Sequence, residues 1–241
     1  MDPLLSEVLK AHGGLERWAE MSKITAQLSI GGPIWAAKGW PGALAQETVE
    51  IDLSQERSVF TPFTQPGYRS VFETGPERVT IETTSGQLVD QRLQARAAFR
   101  GHVRATAWDR LHLGYFIGYA FWNYLVSPFL FTRPAVEAHE IGPWNESGQT
   151  WRRLHVSFPP AVATHSPEQV FYFDRDGLQQ RMDYVTEILG ATLVAHYTSR
   201  HQNFGGFVFP TRRRVFRRNP DGTSNLNPPS ITIDVKSVTV K

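Results

Sequence analysis

The spacing of apolar residues switches along the chain from a helical period to alternation, back to helical, and then to alternation again. Leu4, Leu5, Val8 and Leu9 fall on one helical face. Asp2 suits an N-cap and Pro3 a first helical position, while Gly13 and Gly14 end the run. A second short helical piece covers 15–21. Residues 24–30 then alternate apolar and polar, as a half-buried strand does. Up to about Gln94, clusters of Gly and Pro separate short strand-like runs at 46–53, 68–73, 78–83 and 87–93.

The middle of the chain changes character. Thr106 and Asp109 read as a capping box, and the helix they open runs to about Val126, ahead of Pro128. Trp108, His112, Tyr115, Tyr119, Trp122 and Asn123 fall on one side of it, expected to face a cavity. Gly114 and Gly118 fall on another, small enough for a close approach to a sheet. Beyond Arg133 the β pattern returns, at 151–158, 169–173, 178–188, 193–201, 207–217 and 231–240. Asp174–Gly177 reads as a hairpin turn. Sequential strands of this length twist into a strongly curved sheet. The expected fold class is mainly β (α+β): a curved antiparallel sheet forming an open half-barrel, with an N-terminal helix and a central helix plugging its concave face. One domain spans 1–241, since no linker divides the chain.

Composition changes the picture in two places. The 15 Phe, 7 Tyr and 7 Trp exceed what packing alone asks for, and aromatics also line ligand cavities. The absence of Cys removes thiolate nucleophiles, disulfides and Cys-ligated metals. A net charge of +2 argues against nucleic acid as a partner. The start of the chain lacks the charged and apolar regions of a secretory signal, and no run is long enough for a membrane span, so a cytoplasmic location is expected.

Several short motifs then line up. Ala11-His12-Gly13-Gly14-Leu15 ends the first helix and Trp18 follows. Trp151-Arg152-Arg153-Leu154, Phe171-Tyr172-Phe173-Asp174, Gly177-Leu178 and Gly205-Gly206-Phe207-Val208-Phe209-Pro210 come later. In this order they resemble the LolA/LolB-like superfamily over nearly the whole chain. The resemblance implies an unclosed half-barrel with helices plugging an apolar concave face. Its best-known members carry lipoprotein acyl chains, and the same architecture serves a cofactor-independent enzyme of violacein biosynthesis.

Two sets of residues are candidates for a site. Tyr115, Tyr119, Trp122, Asn123 and Trp108 form a ligand-binding wall, or the buried face of a packed helix. Asp183, Tyr184, His196 and His112 form an acid–base set, or cross-strand pairs on a solvated face. Arg181 and Asp183 share one strand face and Tyr184 takes the other. His155, His165, His196 and His201 lack metal-ligand spacing, so no metal is expected, and no cofactor. The run Arg212–Arg218 reads as a solvated strand. The expected function is binding of a hydrophobic or aromatic small molecule, or an acyl chain, in the concave cavity. The alternative is a cofactor-independent lyase, cyclase or isomerase acting on a hydrophobic metabolite.

Overall fold

Asp2 caps the first helix, α1 (Pro3–Ala11), its Oδ1 accepting from Leu4 N at 2.8 Å. Its other carboxylate oxygen accepts from Glu140 N at 2.8 Å, on a strand at the far edge of the sheet. The computed structural model describes residues 1–241. Two short helices follow, α2 (Leu15–Ala19) and α3 (Ile34–Ala37), and then the central helix α4 (Arg110–Val126).

Six strands precede α4: β1 (Lys23–Gly31), β2 (Glu47–Asp52), β3 (Arg57–Thr61), β4 (Tyr68–Thr74), β5 (Glu77–Thr83) and β6 (Leu88–Leu93). Eight follow it: β7 (Glu137–Glu146), β8 (Gln149–Ser157), β9 (Glu168–Phe173), β10 (Gln179–Thr186), β11 (Thr192–Phe204), β12 (Phe207–Arg218), β13 (Ser224–Asn225) and β14 (Ile231–Val240). They form one antiparallel sheet in the order β6-β5-β4-β3-β2-β1-β14-β12-β11-β10-β9-β8-β7, with β13 beside β12. Each half is a meander. The halves join where β1 pairs with β14, Ile24 opposite Val240. β6 and β7 do not pair with each other, so the sheet stays open.

The sheet wraps around α4, which touches both halves. Phe121 packs edge-on against Phe60 of β3 and Tyr115 against Phe72 of β4. On the other side Arg213 of β12 donates to Tyr124 O at 3.0 Å. Every residue of α4 except Arg110 and His112 is buried. A helix apolar all round belongs in a core, which is where the curved sheet holds it. Gly114 and Gly118 permit the close approach: a Cβ on Gly118 would lie 2.7 Å from Phe72 Cγ. Ser58 Oγ donates to Gly118 O at 3.0 Å across the same contact.

Three local expectations need correction. The helix cap is Asp109 with His112, while Thr106 Oγ1 accepts from Val103 N at 3.0 Å instead. β3 and β7 escaped the pattern. β7 is an edge strand with neither face buried, so its residues do not alternate. Arg213 does not lie on a solvated surface but is buried against Tyr124.

Candidate functional site

Because α4 has no solvated face, its polar atoms must find partners inside. Tyr119 and Tyr124 reach His165, which the β8–β9 loop delivers into the interior. Tyr119 OH lies 2.9 Å from His165 Nδ1, and Tyr124 OH 2.7 Å from Nε2. Tyr124 OH continues to Tyr184 OH at 3.3 Å, and Tyr184 OH to His196 Nδ1 at 3.4 Å. His165 stacks on Tyr184 with ring centroids 4.1 Å apart. Burial pushes His165 down to about 3, helped by the Arg96 charge, and drives His196 well below its ordinary value. Burial likewise raises Tyr124 to about 12 and holds Tyr119 and Tyr184 well above the usual phenol range. Every member is therefore neutral at pH 7, and the chain of hydrogen bonds satisfies buried O–H and N–H groups without placing a charge in the core. It ends at His196 Nε2, which is buried and unpartnered. Arg213 lies beside this end, with its guanidinium 5.0 Å from the Tyr124 ring centroid.

Of the expected acid–base set, Tyr184 and His196 meet here. Asp183 points to the convex side, away from them, as the alternation required. His112 stays at the start of α4, its Nδ1 2.8 Å from Asp109 Oδ1 and its Nε2 3.3 Å from Ala98 O. The aromatic stripe is dispersed rather than gathered on one cavity. Trp122 Nε1 donates to Asp52 O at 2.9 Å, in the β2–β3 turn. Asn123 Nδ2 donates to Tyr119 O and Ala163 O, both at 2.8 Å. Trp108 lies under the Lys38 ammonium, 4.5 Å from the ring centroid. Tyr115 OH is buried without a partner. Sequence reasoning missed Tyr124, which lies off the stripe. It also passed over His165 as a site residue because that residue sits in a proline-rich loop with no period to place it.

The concave face does not hold the large cavity that was expected. α4 fills it and leaves a slot of about 20 Å³ beside Phe116, Tyr184, Val194 and Val215. The larger space, about 540 Å³, is a cleft across the opening between the two halves. It lies between the β4–β5 turn and the β8–β9 loop, with Tyr115, Phe158, Pro160 and Val162 as its apolar walls. Arg96 crosses its polar side. Its Nη2 donates to Glu187 Oε2 at 2.5 Å and its Nη1 to Thr164 O at 2.9 Å. Behind the loop, Glu56 Oε2 accepts from Ala163 N at 3.0 Å, and burial raises the Glu56 carboxyl to about 8. No three His, Asp or Glu side chains converge as a metal-binding cluster.

No protein-family model matches the sequence, and no curated protein does. Solved structures do. A DUF1329 family protein from Desulfovibrio piger matches over 99% of this chain and 93% of its own, with 14% identity and a TM-score of 0.52. A candidate outer membrane lipoprotein-sorting protein domain from Vibrio parahaemolyticus matches over 99% and 91%, with 8% identity and a TM-score of 0.55. A LolA superfamily protein from Nitrosomonas europaea covers 92% of this chain and 86% of its own, with 10% identity and a TM-score of 0.49. The chain has a LolA/LolB-like fold. At such identities the likeness extends to architecture alone.

The convex side of this LolA-like half-barrel carries a second polar cluster. Arg181 is fully buried there, not solvated. Its Nε and Nη2 donate to the two oxygens of Asp183 at 2.6 and 2.8 Å, and its Nη1 to Glu146 Oε2 at 2.7 Å. Nη2 also reaches Gly222 O at 2.6 Å, tying down the turn after β12. Trp144, Tyr172 and Tyr197 surround the guanidinium at 4.9 to 5.5 Å. Every donor is used, so the cluster is structural: it holds β7, β10 and the β12–β13 turn together.

Proposed function

We propose that the protein binds a small hydrophobic or aromatic molecule in the cleft across the sheet opening. The observation that carries this reading is a volume of about 540 Å³, within the range of small-molecule sites, walled by Tyr115, Phe158, Pro160 and Val162, set against about 20 Å³ on the concave face. Tyr115, Phe158 and Val162 would take the apolar body. The Arg96–Glu187 pair would fix a polar end. The Vibrio domain of the same architecture is described as a lipoprotein-sorting protein, and a ligand with an apolar part agrees with that. The enzyme alternative has the Tyr–His chain but no room for a substrate beside it.

The test is binding of a neutral fluorescent probe, N-phenyl-1-naphthylamine, together with native mass spectrometry of protein purified from its own host. Filling the cleft by Val162→Trp is expected to abolish probe binding and the co-purified mass. Probe affinity that is the same in Val162→Trp and wild type would refute this site.

A further inference from the structure

Beside the β10–β11 turn, a few residues on from Glu187 of this cleft, the barrel carries an unusual charge pattern. The slot beside Phe116 opens outward between Arg104, Arg217 and Ser230. It adjoins a groove of about 530 Å³ and shares Thr192 and Arg217 with it. The polar side chains of the groove are Arg217, Arg218, Asn219, Asn225 and Thr192, and no carboxylate lines either space. Arg218 is spoken for, with its Nε 3.5 Å from Asp183 Oδ2. Arg104 donates only to Ser230 Oγ, at 2.9 Å. Arg217 sits at the end of β12, exposed and in no ion pair, although this protein's other arginines commonly pair with acids. After burial, the Arg217 charge is what lowers the Arg104 pKa.

Two guanidiniums that repel each other at the rim of one recess are a fork for an oxyanion. Each presents planar N–H donors that match a carboxylate or phosphate in bidentate fashion. The groove beside them has an apolar side in Leu193 and Pro220, and a polar side in Arg217, Arg218, Asn219 and Asn225 that carries positive charge and no carboxylate. A bare inorganic ion uses only the second. We propose that this part of the barrel binds the oxyanion of a small organic molecule, a carboxylate or phosphate monoester, held between Arg104 and Arg217 with its body along the groove. The assignment is independent of the cleft across the sheet opening.

The test is isothermal titration calorimetry of the whole chain with octyl phosphate, octanoate, inorganic phosphate and the neutral octyl glucoside. Octyl phosphate or octanoate is expected to bind, inorganic phosphate more weakly, and octyl glucoside not at this site. Arg217→Gln and Arg104→Gln should each weaken binding of the organic anion about tenfold or more, the size of one lost charged hydrogen-bond partner. Raised salt should weaken it further. Arg217 is exposed, so its Gln variant should keep the wild-type circular dichroism spectrum. Val162→Trp should leave this binding unchanged. Equal affinity for octyl glucoside, or no loss in either Gln variant, would overturn the proposal. Inorganic phosphate binding as tightly as octyl phosphate would overturn the organic-ligand assignment.

Discussion

Replacing Gly118 with Ala sets two effects against each other, and the structure decides which prevails. In an isolated helix the change would stabilise by about 1 kcal/mol, because Ala restricts the unfolded chain and Gly does not. Here the new methyl would sit 2.7 Å from Phe72 Cγ and 3.2 Å from Phe72 Cδ1. Carbon atoms rest at about 3.5–4.0 Å, so the overlap approaches 1 Å. α4 has little freedom to back away. Tyr124 is pinned by Arg213 from the opposite wall, and Tyr119 by His165. Retreat would also lengthen the bond from Ser58 Oγ to Gly118 O, now 3.0 Å. Overpacking of this kind costs about 1–3 kcal/mol, and a strained hydrogen bond adds about 1. The net expectation is a loss of about 1–3 kcal/mol despite the better helix former. Urea unfolding followed by tryptophan fluorescence and by circular dichroism measures it. Phe72→Leu in the same background should return part of the loss, with a coupling above about 0.5 kcal/mol in the double-mutant cycle. A Gly118→Ala protein as stable as wild type, or more so, would refute the account of how the plug meets the sheet.

Other expectations concern buried charge. Arg181→Met should cost about 3–5 kcal/mol in the same urea assay, since it strands Asp183 and Glu146. A loss under about 1 kcal/mol would mean the convex cluster is not load-sharing. Stability should also depend on pH in two directions. Burial raises Glu47 and Glu56 from 4.5 to about 8, so what they contribute is present below 4.5 and lost as pH rises through about 8. Burial lowers His12 and His165 from 6.5 to about 4 and about 3, so what they contribute is present above 6.5 and lost as pH falls toward those values. These groups together predict a broad maximum between about pH 4.5 and 6.5, with each group worth about 1.4 kcal/mol per pH unit on its limb. Glu56→Gln should flatten the alkaline limb in thermal melts between pH 6 and 9, and an unchanged limb would remove Glu56 from the account.

What the sequence made legible was set by period. The plug was readable at both ends because Asp109 and Pro128 bound a run that is apolar on every side. The two glycines in it pointed to the close sheet contact that Phe72 supplies. The strands from Trp151 onward were readable because apolar and polar residues alternate along most of their length, even in β10, which is buried on both faces. β7 was not, since an edge strand open on both sides carries no alternation. The site was harder to see. Alternation separated Asp183 from Tyr184 correctly, but nothing local tells which face of a curved sheet is covered. Arg181 and Arg213 looked solvated for that reason, and both are buried. The cleft depends on how the β8–β9 loop lies against the β4–β5 turn, a contact between residues about 85 apart, and no periodic signal reports it.

The β1–β14 junction has a consequence in time. The two meanders are continuous only through that pair of strands, one from each end of the chain. On the ribosome, residues 47–93 can pair among themselves as soon as they emerge, since each strand finds its neighbour nearby. β1 cannot complete its pairing until residues 231–240 have been made and released. Until then the apolar inner edge of β1 and the unwrapped α4 are open to solvent and to other nascent chains. Slowing translation of its last hundred residues should therefore lower its soluble yield more than slowing the first hundred.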